Sequence, residues 1–218
     1  MKLMIVDDHQ VVRQGIANLL RSMLPAVAIT EVDNGQDAVA RYGELQPDVV
    51  LLDMGLPDIS GLEVGRRLRQ RWRGAAILFF TMHDELPMVR QALDVGGLGF
   101  VSKSCAPEEL AEAVKRVAAG QPYIEHPIAT RLAMNQERPV DHRLRDMTQR
   151  EMEVLLMYAR GESVGGIAER LCVSSKTVSN HLAGLKNKLQ VSSSVELIHL
   201  AVDAGLIRYG QLEEARRV

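Results

Sequence analysis

Short, continuously apolar runs alternate with amphipathic stretches over the first 120 positions of the chain. The runs span residues 3–6, 27–29, 49–52, 76–80 and 99–101. Runs without polar alternation are typical of parallel strands that are buried on both faces. Between them, apolar residues recur at helical spacing, as at Leu110, Val114 and Val117. This alternation predicts a doubly wound, five-stranded parallel sheet, with helices on both faces, over residues 1–119.

The remainder of the chain has a different pattern. Residues 120–146 contain Pro122, Pro127 and Pro139 and a polar stretch, which predicts a linker with a short helix near 128–134. After it the apolar spacing is helical throughout. The predicted helices span residues 149–160, 164–171, 175–189 and 194–204. We therefore expect a second, all-α domain over residues 147–210, followed by a polar tail at 211–218.

Composition narrows the class of protein. The 218 residues include 46% hydrophobic and 25% charged residues and carry a formal charge of −2, which is typical of a folded globular chain. No apolar run approaches the roughly 18–20 residues that cross a bilayer, and Asp7 comes too early for a signal peptide. Cys105 and Cys172 form neither a disulfide framework nor a zinc motif. We expect a cytoplasmic protein without a membrane partner.

Polar residues follow the predicted strands where they end. Asp7 and Asp8 follow the first, Asp53 the third, Thr81 the fourth and Lys103 the fifth. Because ligands bind at the carboxyl ends of parallel strands, these side chains are expected to converge. Clustered carboxylates favour Mg²⁺, and a carboxylate beside Mg²⁺, a lysine and a hydroxyl suits the formation of an acyl phosphate. Simple capping of the following helices would explain one such aspartate but not this set.

The first 119 residues resemble the receiver domain of two-component response regulators. The motifs that carry the resemblance are Asp7-Asp8-His9, Leu51-Leu-Asp53-Met-Gly-Leu-Pro57, Thr81-Met-His and Phe100-Val-Ser-Lys103. The resemblance implies a flavodoxin-like strand order, 2-1-3-4-5. It also implies that Asp53 accepts a phosphoryl group from a sensor histidine kinase, while Thr81 and Lys103 contact the phosphoryl oxygens. The residues that would hold Mg²⁺ are Asp8, Asp53, the carbonyl of Gly55 and, through water, Asp7.

Phe100 occupies the position of the aromatic switch residue in this family, where tyrosine is more usual. Phenylalanine has no hydroxyl, so only the packing of its ring could report a rotation. An ordinary core aromatic is the alternative interpretation of Phe100.

The predicted helix 175–189 has two distinct faces. Its apolar residues are Val178, Leu182, Leu185 and Leu189, which predict a core-facing side. The opposite side presents Lys176, Ser179, Asn180, Ala183, Lys186 and Asn187. No acidic residue occurs between positions 174 and 194, although solvated helix faces usually mix both signs. A face of small, amide and basic side chains is one that a DNA major groove accepts.

Residues 146–207 resemble the LuxR-type helix-turn-helix, and with the receiver they indicate the NarL/FixJ family. The motifs are Met147-Thr-Gln-Arg-Glu151, Gly161-Glu-Ser163, Ile167-Ala168, Ser174-x-x-Thr177-Val178 and Lys188-Leu189. The resemblance implies phosphate contacts from Lys176, Thr177 and Lys186. It implies that Ser179, Asn180 and Ala183 face base edges. Gly165 and Gly166 depart from the usual Lys-Glu and remove one candidate phosphate contact.

Together these features predict a DNA-binding transcription regulator, not an enzyme, that is switched by phosphorylation of Asp53. The expected partners are double-stranded promoter DNA, a sensor histidine kinase, a second copy of the phosphorylated chain and RNA polymerase. Three alternatives stay open. They are a regulator that binds DNA without phosphorylation, a Mg²⁺-dependent phosphohydrolase and a protein-interaction module.

Overall fold

The structure is a computed structural model that describes residues 1–82, 84–134, 142–144, 147–171, 173–204 and 206–207. The chain divides into two compact units, Met1–Met134 and Asn135–Val218. No helix among the described residues is long and apolar enough to cross a membrane. The predicted polar tail at 211–218, and most of the predicted linker beyond residue 134, lie outside the described residues.

The first unit is built on a parallel sheet. Its described strands are Lys2–Val6 (β1), Ala28–Val32 (β2), Val49–Leu52 (β3), Ile77–Thr81 (β4), Gly99–Ser102 (β5) and Tyr123–Ile124 (β6). Their order in the sheet is β2-β1-β3-β4-β5-β6, and every neighbouring pair is parallel. The predicted doubly wound sheet and its order 2-1-3-4-5 are therefore confirmed. The predicted strand count of five is wrong by one, because β6 extends the sheet beyond β5.

Strand length explains why β6 has no sequence signal. Only Tyr123 and Ile124 pair with β5, opposite Gly99 and Phe100. Two residues are too few to show any periodicity, and the nearby prolines at 122 and 127 are typical of a loop. The edge strand β2 departs from its predicted run for a related reason. It is only partly buried and includes Thr30 and Glu31.

Helices surround this sheet and cover its central strands. The helices of the first unit are Gln10–Met23 (α1), Gly35–Leu45 (α2), Gly61–Arg71 (α3), Leu86–Asp94 (α4), Pro107–Ala118 (α5) and His126–Met134 (α6). One face of the core is formed by β-strand residues packed against α1 and α5, as with Leu51, Leu20 and Val114. Because β3, β4 and β5 are buried along their whole length, the polar residues that follow them lie at the end of a rigid scaffold.

The described part of the second unit is helical. Its helices are Gln149–Ala159 (α7), Val164–Arg170 (α8), Ser175–Leu189 (α9) and Ser194–Asp203 (α10). Each begins after a serine or threonine whose hydroxyl accepts an amide N–H of the first turn, namely Thr148, Ser163, Ser174 and Ser193. Helices α8 and α9 pack on each other and on α7, as a helix-turn-helix requires. Val178, Leu182, Leu185 and Leu189 of α9 are buried, as the apolar spacing predicts.

Candidate functional site

Three charged side chains meet at the carboxyl end of the sheet, where Thr81 also lies. Asp7 and Asp53 follow β1 and β3, Thr81 ends β4, and Lys103 follows β5. The Lys103 Nζ lies 2.7 Å from Asp7 Oδ2 and 2.9 Å from Asp53 Oδ2. Asp7, Asp53 and Thr81 are 2%, 5% and 0% exposed. The ammonium of Lys103 therefore joins two buried carboxylates, and the buried Thr81 ends the strand next to the one that Lys103 follows.

Backbone pairing continues beyond the strands and aligns these residues. The Asp53 N–H donates to the Val6 carbonyl at 2.9 Å, and the Lys103 N–H donates to the Thr81 carbonyl at 2.8 Å. Each pair extends a parallel ladder into the site. As a result the side chains are placed by main-chain hydrogen bonds rather than by flexible loops.

The electrostatics of the pocket are governed by burial and by one lysine. Burial raises the pKa of Asp53 above its ordinary value, although the charge and hydrogen bond of Lys103 oppose that rise. Burial alone would lower the pKa of Lys103. The charge of Asp53 and hydrogen bonds to Asp7 and Asp53 outweigh it, so the pKa of Lys103 is raised. The lysine therefore stays a cation, and two carboxylates compete for it.

Asp8 and His9 complete an acidic cluster. The His9 Nδ1 lies 2.7 Å from Asp8 Oδ1, and the His9 N–H donates to Asp7 Oδ1 at 2.8 Å. One side-chain ligand atom from each of Asp7, Asp8, His9 and Asp53 lies within 4.8 Å of the others. Three carboxylates and one ammonium leave a negative excess, and carboxylate oxygens are the donors that hard divalent cations prefer. The cluster thus has the charge and donor chemistry for a divalent cation.

The loop after β3 is held tightly around Asp53. The Met54 N–H donates to Asp53 Oδ1 at 2.8 Å, and a backbone hydrogen bond from Gly55 partly opposes the rise that burial causes in the pKa of Asp53. A Cβ on Gly61 would lie 2.1 Å from the Asp53 carbonyl oxygen. Glycine at position 61 is therefore a steric requirement of the site. The role of the Gly55 carbonyl as a cation ligand stays a prediction.

Two contributors to the site region have no strong sequence signal. His9 joins the acidic cluster, and its only sequence signal is its place next to Asp7-Asp8. Asp58 accepts the N–H of Gly35 at 2.8 Å and the N–H of Gln36 at 2.7 Å, which fastens the loop after β3 to the start of α2.

Phe100 is fully buried on β5 opposite Phe79. Its proposed switching role stays a prediction.

The second unit presents one polar face of α9. Lys176, Ser179, Asn180 and Ala183 are exposed, and Thr177 and Lys186 are partly buried. The Thr177 hydroxyl lies 2.9 Å from the Ser174 hydroxyl, next to the helix N-terminus. The residues predicted to contact DNA therefore share the surface of a single helix, opposite its buried side.

Ion pairs and hydrogen bonds at helix ends hold α9 in this orientation. The Lys188 Nζ lies 2.7 Å from Glu151 Oε2, and Glu151 also forms a capping box with Thr148 at the start of α7. The Arg143 side chain donates to the Leu189 carbonyl at 3.0 Å, where α9 ends. Lys188 is thus engaged in an ion pair within the domain.

A receiver-type carboxylate pocket in one unit and a helix-turn-helix in the other define the class of protein. The chain is a DNA-binding response regulator of a two-component system.

Comparison with known proteins agrees with this class. The profile described as "Response regulator receiver domain" matches residues 3–115, and "Bacterial regulatory proteins, luxR family" matches residues 145–201. The chain is 50% identical to the transcriptional activator protein ExaE of Pseudomonas putida, over 95% of this chain and 99% of that protein. It is 35% identical to the response regulator UvrY of Escherichia coli K12, over 93% and 94% of the two chains.

A solved structure is similar to part of this chain. The two-component response regulator of the LuxR family from Aurantimonas has 35% sequence identity and a TM-score of 0.59, covering 62% of this chain and 96% of that chain. The chain belongs to the NarL/FixJ family of transcriptional response regulators.

Proposed function

We propose that Asp53 accepts a phosphoryl group from the phosphohistidine of a sensor kinase and that this transfer increases the affinity of the chain for promoter DNA. The observation that carries the proposal is the pairing of Asp53 with Lys103 inside a buried, negatively charged pocket. A carboxylate held there as an anion is a nucleophile, and the adjacent ammonium suits the oxygens of an incoming phosphoryl group.

The transfer is a substitution at phosphorus. A carboxylate oxygen of Asp53 forms the new P–O bond, and the P–N bond to the donor imidazole breaks. The electron pair of that bond stays on the imidazole nitrogen, and the ring takes up a proton from water. Lys103 and the Thr81 hydroxyl would donate to the equatorial phosphoryl oxygens. Support comes from the backbone hydrogen bond between Thr81 and Lys103, which holds the ends of β4 and β5 together, so the reaction would need little rearrangement of the backbone.

The residues that would hold Mg²⁺ are Asp8, Asp53 and the Gly55 carbonyl, with Asp7 acting through water. The bound ion would supply positive charge that offsets the phosphoryl oxygens. Support comes from the negative excess of the cluster and from the oxygen donors of its three carboxylates. His9, which contacts Asp8, is the one nitrogen donor in this set.

The output is proposed to be a population shift. Phosphorylated receivers would favour a two-fold dimer in which two α9 helices enter half-sites about one helical turn apart. Lys176, Thr177 and Lys186 would contact phosphates, while Ser179, Asn180 and Ala183 would face base edges. Asn180 has the donor and acceptor to pair bidentately with adenine. The short side chains at 179 and 183 favour DNA shape and half-site spacing as further sources of specificity.

The proposed domain limits assign phosphorylation and DNA binding to separate parts of the chain. We propose that residues 1–119 form the receiver, 120–146 join it to the output domain, 147–210 bind DNA and 211–218 are a polar tail. The first compact unit extends to Met134, so β6 and α6 of the joining segment belong structurally to the receiver side. A promoter-binding protein acts in the cytoplasm of a bacterium, where RNA polymerase is the remaining expected partner.

We propose a regulatory rather than an enzymatic role. Support comes from the helix-turn-helix unit, which a phosphohydrolase does not need, and from the transcriptional regulators among its relatives. Release of many phosphate equivalents per chain from a small phosphoester would favour the enzymatic alternative.

The test measures intact mass and promoter-library binding of the full chain, with and without acetyl phosphate and Mg²⁺. The variants are Asp53→Asn and, as a matched control, Asp94→Asn at an exposed position. Wild type and the Asp94 variant are expected to gain one phosphoryl group and bind DNA more tightly, and Asp53→Asn to do neither. A phosphoryl gain without tighter binding would refute the coupling. DNA binding without any phosphoryl gain would refute the switch.

A further inference from the structure

Glu125 occupies an unusual place, where β6 ends and α6 begins. Its N–H continues the sheet by donating to the Phe100 carbonyl at 3.2 Å. Its carbonyl is used by the helix and accepts the Ala129 N–H at 2.9 Å. Its side-chain Oε2 accepts the Ser102 N–H at 2.8 Å. In a longer parallel strand the backbone carbonyl would make that last bond. The carboxylate of Glu125 therefore replaces the missing carbonyl and extends the ladder by one rung.

This additional rung lies next to the phosphorylation site. Ser102 is buried and immediately precedes Lys103, whose own N–H is held by the Thr81 carbonyl at 2.8 Å. The end of β5 is therefore fastened on both edges, by β4 on one side and by Glu125 on the other. A hydrogen bond to an ionised acceptor is stronger than one to a neutral carbonyl. Loss of the Glu125 carboxylate would leave the buried Ser102 N–H without this acceptor.

Helix α6 keeps Glu125 in position from the other side. Ile128, one turn into α6, is 1% exposed, so the helix is packed on the receiver. The Arg131 guanidinium also pairs with the Asp84 carboxylate, in the segment between β4 and α4. Helix α6 is thus attached next to both strands that carry the expected phosphoryl contacts, although it lies in the segment that the sequence assigns to the linker.

We propose that Glu125 is a positioning residue for Lys103. Through Glu125, the position of the first turn of α6 is coupled to the position of Lys103 in the phosphorylation site. This inference rests on the proposed phosphorylation of Asp53. Lys103 must place one ammonium between two carboxylates, so a small displacement of the end of β5 changes its reach to both. By thermodynamic linkage, a change in how strongly Lys103 is held also changes how firmly α6 is attached.

The test uses the full chain and three substitutions at position 125, with Glu112→Ala at an exposed position of α5 as the control. Glu125→Gln keeps an acceptor oxygen at the same reach. Glu125→Asp keeps the charge and is a favourable residue before a helix, but is one methylene too short. Glu125→Ala removes the acceptor. The readouts are hydrogen exchange of the Ser102 amide and the maximal rate of phosphorylation by acetyl phosphate with Mg²⁺.

We expect Glu125→Asp and Glu125→Ala to lose protection of the Ser102 amide and to react roughly tenfold more slowly, since small misplacements of catalytic groups have effects of this size. Glu125→Gln and Glu112→Ala should stay within about twofold of wild type in rate. Wild-type rates in the Asp variant despite an unprotected Ser102 would overturn the positioning role. So would a slow Gln variant with a protected Ser102. Absence of phosphorylation in the wild type would overturn the proposed function first and this inference with it.

Discussion

Substitution of Gly61 by alanine tests how closely α3 approaches Asp53, the proposed site of phosphorylation. Gly61 begins α3, and its N–H donates to the Met54 carbonyl at 3.0 Å. An added Cβ would lie 2.1 Å from the Asp53 carbonyl oxygen and 2.7 Å from the Met54 Cα. Both neighbours are backbone atoms, so neither can move away by a rotamer change. Relief requires a shift of α3 or of the loop that carries Asp53.

The magnitude follows from two opposing effects. Alanine is favoured over glycine in a helix by up to about 1 kcal/mol. Overpacking typically costs about 1–3 kcal/mol, and a clash with fixed backbone belongs at the upper end of that range. We expect the first unit to lose about 2 kcal/mol of unfolding free energy. Gly165→Ala in α8 is the matched contrast, because the nearest atom to its added Cβ is the Ser163 Oγ at 3.9 Å. For Gly165→Ala we therefore expect no clash and a rise of roughly 0.5–1 kcal/mol in the free energy of unfolding.

Urea unfolding separates the two units. Trp72 is the one tryptophan of the chain and lies in the first unit, with its ring 4.7 Å from that of Tyr42. Its fluorescence therefore follows the first unit, while far-ultraviolet circular dichroism follows the helices of both. With slopes of about 1–3 kcal/mol/M, a loss of about 2 kcal/mol lowers the fluorescence midpoint by roughly 1 M. Intact mass after incubation with acetyl phosphate then reports whether Asp53 still reacts.

Two results would refute this reasoning. One is a Gly61→Ala protein with a wild-type fluorescence midpoint and a wild-type phosphorylation rate, which would mean that the loop adapts freely. The other is a Gly165→Ala protein that loses stability, which would mean that α8 has no open space for a methyl group at position 165. A change in the fluorescence transition caused by Gly165→Ala would show that the two units do not unfold independently.

Three further predictions concern other contacts of the two units. Asp58→Ala should cost the first unit about 1 kcal/mol at pH 7, as loss of a helix cap does. Burial would raise the pKa of Asp58, but bonds from backbone amides hold it below its usual value. The difference in unfolding free energy between wild type and Asp58→Ala should thus be present above about pH 4 and disappear as the pH falls through the pKa of Asp58 in the folded protein. An equal difference at pH 2 in urea titrations would contradict this. Glu151→Gln should lower the stability of the helical unit by roughly 0.5–1 kcal/mol by circular dichroism, because its pair with Lys188 is lost, and 1 M salt should shrink the difference. Lys176→Ala should reduce the slope of log affinity against log salt by about 0.9, whereas Asn180→Ala should keep the slope and lose about 1–3 kcal/mol of base discrimination. Equal slopes for wild type and Lys176→Ala would exclude a phosphate contact.

Sequence patterns predict an element well where local and tertiary forces agree. The residues of β3 are apolar throughout and buried on both faces, and its predicted and observed limits coincide at 49–52. The same holds for α9, predicted and found at Ser175–Leu189. A serine cap, a buried face and a C-terminal lysine turn all favour the same limits there. The convergence of Asp53 and Lys103 follows from the rule that parallel strands end at one edge.

Other features depend on partners that a one-dimensional pattern does not contain. Strand β6 has two residues, and only its neighbour β5 makes it a strand. Glu125 looks like a solvated linker residue, yet its carboxylate bonds a backbone amide 23 positions earlier. Asp58 fastens the start of α2 from a loop that lies 22 positions further along the chain. Such side-chain to backbone contacts have no periodicity, so they become visible only when the fold brings the segments together.

The pocket contains more carboxylates than cationic side chains, and this imbalance has a physical explanation. Lys103 neutralises one of the carboxylates of Asp7 and Asp53, and Asp8, which contacts His9, adds a third carboxylate. Such an arrangement is costly in a folded protein, because buried charges are stable only when they are paired. Phosphorylation of Asp53 would replace the single negative charge of its carboxylate by a phosphoryl group that carries about −1.5 to −2 charges in the same space. Lys103 alone cannot balance both the phosphoryl oxygens and Asp7, so the phosphorylated pocket requires additional positive charge. A site balanced in its resting form would have no carboxylate left to hold that charge, and the negative excess is therefore what makes the pocket able to respond.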